Sequence, residues 1–128
     1  MSHLNEIRIL RRRAKGFLEK AVDSLNSGDY DLAAFLSEQS VQLHLKSILL
    51  EKIGEYPRTH SISTVLSILM RVPNCSNLVK LLEEKKIELR LMEDAYIVAR
   101  YLVEEYSKEE AEILVDLARQ VLKYGEIC

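Results

Sequence analysis

The chain of 128 residues has little of what staples, punctuates or anchors many other kinds of protein. It carries two cysteines, Cys75 and Cys128, with no CxxC spacing and no neighbouring histidine, so neither a zinc site nor a disulfide framework is expected. An intracellular, reducing setting is the default for such a chain. The opening MSHLNEIRIL lacks a long apolar stretch followed by small residues, and no uninterrupted apolar run approaches membrane-spanning length. A soluble, cytoplasmic protein is therefore expected. Charge of one sign is not in excess: 18 basic against 20 acidic residues give a net charge of −2. The surface as a whole is no polyanion trap, and any nucleic-acid contact has to come from a local patch.

The familiar catalytic signatures are missing as well. There is no Gly-rich phosphate loop, no HExxH, no GxSxG and no histidine close to a cysteine. No metal and no cofactor is implied. Nothing reads as a strand, a repeat or a low-complexity linker, and between Pro73 and Gly125 there is neither glycine nor proline. The chain is long enough to bury about two-thirds of the surface it exposes when unfolded. We expect one all-α domain over 1–128, a five-helix, up-and-down bundle of antiparallel hairpins.

What is present is organised around Asp29 to Ile53, the one segment with apolar residues on nearly every side. At about 100° per residue, Leu32, Leu36, Leu43 and Leu50 fall on one line, with Tyr30, Val41, Leu45 and Ile48 roughly opposite. A helix apolar all round is a buried one. A band of small residues, Ala33, Ser37, Ser40 and Ser47 with His44 among them, lets a neighbouring helix come close. Glu38, Gln42 and Lys46 form a polar stripe, with Gln39 beside it. Such groups on a buried helix need partners or a wet cleft, so the stripe reads as an internal hydrogen-bond network, a subunit contact or a binding site.

Residues 3 to 26 make the first helix, with Leu4, Ile7, Leu10, Ala14, Phe17, Leu18, Ala21 and Leu25 on one arc. Arg8, Arg11, Arg12 and Lys15 share a flank while Arg13 points away. That flank is either a solvated face or a phosphate-contacting patch, and Arg11, at the edge of the apolar arc, is expected to pair with an acid from another helix. Asn26-Ser27-Gly28 stops the helix, with Gly28 suited to the left-handed position and Asp29 to the next N-cap. The second helix ends near Gly54, and a loop to His60 precedes a short helix from about Ser61 to Arg71. Asn77 to Tyr106 is one helix or two joined near Lys85-Lys86, the latter favoured. Its expected buried face is Leu91, Ala95, Val98, Ala99 and Leu102. Ser107 and Glu110 fit a capping box for a last helix from Lys108 to about Tyr124, burying Ala111, Leu114, Ala118 and Val121.

His44 reads as a packed, hydrogen-bonded side chain, and His60 as a loop residue explained equally by helix entry and by function. Arg100 borders the buried face beside Tyr96, Glu93 and Glu104. An i, i+4 pair with Glu104 and packing over Tyr96 is the structural explanation. An arginine with Tyr96 and Tyr101 at a groove edge also suits a phosphate and a base.

Three pieces then line up: GDYDLAAFLSEQSVQLHLKSILL, the loop RTHSI, and AYIVARY before SKEEAEILVDLA. In this order and spacing the chain, over about residues 10 to 122, resembles the HEPN domain found in prokaryotes and higher eukaryotes. The resemblance implies a helical bundle, commonly a homodimer and often encoded beside a minimal nucleotidyltransferase with which it forms a toxin–antitoxin pair. It also implies nucleotide or RNA binding and, in many members, metal-independent RNA cleavage. Lys46, His60, Arg100 and Tyr101 match the pattern and, with Tyr96, are the candidate ligand-binding residues. The ribonuclease members carry an arginine and a histidine separated by four to six residues. After Arg100 the corresponding positions are Glu105, Tyr106 and Ser107, so the usual partner for proton transfer is missing and no residue is assigned as catalytic. The expected function is nucleotide or RNA binding as the partner of a nucleotidyltransferase. The rivals are a ribonuclease whose histidine is assembled in space and a non-catalytic dimerisation module.

Overall fold

The computed structural model describes residues 3–126 and 128. Its elements are six α-helices: α1 (His3–Asn26), α2 (Tyr30–Ile53), α3 (Ile62–Leu69), α4 (Ser76–Glu84), α5 (Lys86–Tyr101) and α6 (Lys108–Gly125), with no strand among the described residues. The expected count of five becomes six because the 77–106 segment divides at Lys85, whose backbone leaves helical geometry (φ −105°, ψ 28°). It also stops early. Leu102 is extended, and the segment to Tyr106 runs outside the helix.

The joints are made by the residues best suited to them. Gly28 (φ 82°) and Gly54 (φ 83°) adopt left-handed backbone that a side chain would disfavour. Asp29 caps α2 by accepting from the Leu32 amide, and Ser61 caps α3 by accepting from that of Thr64. Ser107 and Glu110 form the full reciprocal capping box at the start of α6.

The α2 helix lies at the centre, packed against α1, α3, α5 and α6. Val41, Leu45, Ile48 and Leu49 of α2 are fully buried in one core with Ile62 and Val65 of α3, Leu78 and Leu82 of α4, Met92 of α5 and Leu114 of α6. A second core is built from small residues, Ala21, Ala33 and Ala111 with Val115, where α1, α2 and α6 approach closely. The small-residue band of α2 faces α1. Ser40 Oγ donates to the Ala14 carbonyl at 2.7 Å, while Arg11 Nε donates to Ser47 Oγ at 3.2 Å and Arg11 pairs with Glu51 at 3.0 Å. The acid expected for Arg11 is thus Glu51. Residue 14 meets 40 and residue 11 meets 47 and 51, so these two helices run in opposite directions.

Three expectations need correcting. Leu4 is 63 % exposed, because the first turn of α1 extends past the core. On α5 the buried face is Leu89, Met92, Ala95 and Val98, rotated from the expected one; Ala99 and Leu102 are exposed. Finally, Cys75 and Cys128 are joined as a disulfide with their Cα atoms 4.6 Å apart. Fifty-three positions separate them in sequence. Only the return of α6 toward the loop before α4 brings them together, so local spacing carries no sign of the bond.

Candidate functional site

The polar stripe of α2 is not a surface. Glu38 is 0 % and Gln42 3 % exposed, and the loop between α2 and α3 is fastened along it. Gln42 Nε2 donates to the His60 carbonyl, and Lys46 Nζ lies 5.7 Å from the centre of the Tyr56 ring. Tyr56 also reaches α1, donating its hydroxyl to Glu6 at 3.4 Å. Glu38 accepts from Gln39 Nε2 at 2.8 Å through one oxygen, and its other oxygen has no partner among the described residues. Burial pushes the Glu38 carboxyl up from 4.5 to about 7, against the lowering effects of Gln39, Gln42 and Lys46. Burial likewise lowers the Lys46 ammonium, offset in part by the Glu38 charge. Taking a carboxylate and an ammonium out of water disfavours both charged forms, which is why the two shifts have opposite signs.

This fastening sets His60 against α5. The imidazole stacks on Tyr96 with ring centres 4.1 Å apart and planes 20° from parallel. Phe35 of α2 stacks on the same tyrosine at 6.4 Å. Arg100, one turn after Tyr96, donates to the Tyr96 hydroxyl at 2.9 Å, and its guanidinium carbon lies 5.1 Å from the Tyr96 ring centre and 5.5 Å from that of Tyr101. His60, Arg100 and Tyr101 are exposed. The α3 entry is tied to this edge by Glu93, which accepts from the Ser63 amide at 3.1 Å.

Of the candidate residues, His60, Tyr96, Arg100 and Tyr101 are brought together as one aromatic and cationic ladder. Lys46 is not in it; its contact is Tyr56, nearer the start of the loop. The expected pairing of Arg100 with Glu104 does not form part of a helix surface, since α5 ends at Tyr101. Phe35 was not anticipated. Its signal was its place one turn before the polar stripe, at i−3 and i−4 from Glu38 and Gln39, which puts it on the same flank of α2. Arg100 and Phe35 also border a cavity of about 360 Å³ with Leu32, Asp29 and Asp31. Guanidinium, aromatic and carboxylate groups there offer a donor, a stacking face and acceptors. Among the described residues no cluster of histidine, cysteine, aspartate or glutamate could hold a metal ion.

The fold and site together define an all-helical protein with an exposed ladder of stacked rings and a guanidinium along one edge. A family model described as the HEPN domain matches residues 7–128, and the chain belongs to that family. Membership supports a nucleotide- or RNA-related role in general. The crystal structure of TT1696 from Thermus thermophilus is similar to this chain, with a TM-score of 0.75 and 28 % identity over 96 % of this chain and 98 % of that one. No curated protein matches the chain. No helix among the described residues is long and apolar enough to cross a membrane.

Proposed function

We propose that the chain binds a nucleotide or a short stretch of RNA along the ladder of His60, Tyr96, Arg100 and Tyr101. The observation that carries this reading is the convergence of His60 and Arg100 on the Tyr96 ring. Stacked rings suit a base, and an exposed guanidinium suits a phosphate. Lys46 acts less directly, holding the loop that presents His60. A separate minimal nucleotidyltransferase, in a toxin–antitoxin arrangement, is the partner this reading expects, and a cytoplasmic setting goes with such a ligand. The test is titration of a labelled oligoribonucleotide and of free nucleotides at fixed salt. Arg100→Ala loses a charge-assisted contact worth about 1.5–3 kcal/mol, tenfold or more in affinity. Unchanged affinity makes the arginine structural and ends the proposal.

A second reading, metal-independent RNA cleavage, is favoured by the same geometry. A histidine and an arginine that the sequence separates by forty positions meet on one tyrosine. Proton transfer by such a histidine contributes about 10² to 10⁴-fold. Cleavage by the wild type that disappears in both His60→Ala and Arg100→Ala establishes it; cleavage that persists in both assigns it to another source.

We also propose a homodimer, on different grounds from the α2 stripe, which this chain covers with its own loop. The end of α5 and the segment after it expose Ile97, Leu102 and, at 99 %, Val103, apolar groups beside the ladder that a second copy would cover. Light scattering decides it: a mass near 14.8 kDa across micromolar concentrations removes the claim.

A further inference from the structure

The basic flank of α1 has a counterpart on α6. Arg11, Arg12 and Lys15 face Arg119 and Lys123 of α6 across a cavity of about 560 Å³. In a chain of net charge −2, five cations line one cavity, and among the described residues Glu126 is its one acidic lining residue. Arg11 is already tied to Glu51. Among the described residues, Arg12, Lys15, Arg119 and Lys123 enter no ion pair. Like charges gathered without counter-charges repel one another, and a bound anion relieves that repulsion.

A second observation comes from α2. His44 belongs to the same wall, is 4 % exposed, and its Nε2 has no hydrogen-bond partner among the described residues. Burial, and then the Arg11 charge, lower its imidazole from 6.5 to about 4. The ring is held there by Gly125, where a Cβ would overlap it. Leu18 and Leu122 complete the lining and give it an apolar part.

We infer that this cleft between α1, α2 and α6 binds a chain of two or three phosphates, with Leu18 and Leu122 taking any organic group attached to it. Arg12, Lys15, Arg119 and Lys123 neutralise the phosphates, and His44 supplies a neutral polar edge within the wall. A half-open cleft of limited length with an apolar part fits a small phosphorylated molecule better than the extended backbone of a nucleic acid, which needs a continuous basic track. This site is separate from the Tyr96 ladder and does not depend on the function proposed for it.

Calorimetric titration at about 0.15 M salt, where weak surface attraction is screened, tests the inference with inorganic tripolyphosphate and with ATP as probes. Wild type is expected to bind tripolyphosphate, with a shift in the His44 ring resonances. The double variant Arg119→Gln, Lys123→Gln changes two exposed side chains; it should keep the wild-type melting curve and weaken binding at least tenfold. Arg100→Ala should leave tripolyphosphate binding unchanged, which separates this site from the ladder. In the Arg100→Ala protein, where the ladder has lost its guanidinium, ATP binding that is tighter than tripolyphosphate and weakened by the double change Arg119→Gln, Lys123→Gln supports the site with a nucleoside as the organic group, and equal affinities support it with the phosphate chain alone as ligand. Absence of tripolyphosphate binding, or equal affinity in the folded double variant, overturns the inference. So does a result in which only single-stranded RNA loses affinity in that variant, because the cations then form a nucleic-acid surface.

Discussion

Two buried titratable residues on α2, six positions apart, have been given opposite surroundings by the same helix. Glu38 sits under the loop that carries His60, among Gln39, Gln42 and the partly buried Lys46. His44 sits against Gly125 in the basic cleft, near Arg11. Each has one polar atom without a partner. Burial drives both to the neutral form, raising the acid and depressing the base. The nearby charge then acts differently: Lys46 favours the ionised Glu38, whereas Arg11 opposes protonation of His44. One region tolerates a charge within the protein's own network; the other excludes one and leaves its cations for something from outside.

The largest expected effect that tests this contrast is on stability against pH. Glu38, raised in the folded chain, contributes stability that is complete below about pH 4.5 and lost as pH rises through about 7. His44, depressed, contributes stability that is complete above about pH 6.5 and lost as pH falls through about 4. Between about 4.5 and 6.5 the two slopes oppose and largely cancel. Glu38→Gln should unmask a stability that rises with pH across this window, and His44→Gln one that falls, each by up to about 1.4 kcal/mol per pH unit. Urea unfolding at a series of pH values reads both. Parallel profiles for the two variants would break the comparison.

A smaller effect is confined to the His44 side. Gly125→Ala places a methyl group against the imidazole and within 3.0 Å of Ile48 Cδ1. Overpacking of this kind costs about 1–3 kcal/mol, and the His44 ring resonances should move while those of His60 do not. An unchanged melting temperature would mean that the α6 end yields freely. Ser107→Ala removes the cap that starts α6 and should cost about 1 kcal/mol. That loss comes at the end of α6 far from His44, so it should leave the His44 titration in place. Smallest is Arg100→Ala, on an exposed side chain bonded only to Tyr96, for which a change within about 0.5 kcal/mol is expected. A large loss of stability would transfer Arg100 from ligand binding to the fold.

How much of this was legible depends on how local the cause is. The Asn26-Ser27-Gly28 stop, the Asp29 cap and the Ser107–Glu110 box are set within a few residues, and they stand where the sequence puts them. The register of α5 was not legible. Ile87, Leu89, Leu91, Met92, Ile97 and Val98 spread apolar groups around much of the helix, and its partners choose the Leu89, Met92, Ala95 and Val98 face. Within the site, Tyr96 and Arg100 lie one turn apart and could be paired by spacing alone. His60 joins them because Gln42 holds its carbonyl, a contact between segments that no periodicity encodes. The cleft was half visible. The α1 flank of Arg11, Arg12 and Lys15 stood out, but Arg119 and Lys123 meet it only after α6 has packed.

Tyr106 is buried and held twice, its amide donating to Asp31 at 2.6 Å and its hydroxyl to the Leu91 carbonyl at 3.1 Å. The four residues before it, Leu102 to Glu105, are extended or irregular and exposed. They form a short exposed connection between the end of α5 and a buried tyrosine, a segment open to proteases in the monomer. A cut there would leave α6 packed on α1 and α2. It would also leave the two fragments covalently joined, because Cys75 lies before the cut and Cys128 after it. The nicked protein should therefore run as one band on a gel until a reductant is added, and then as two.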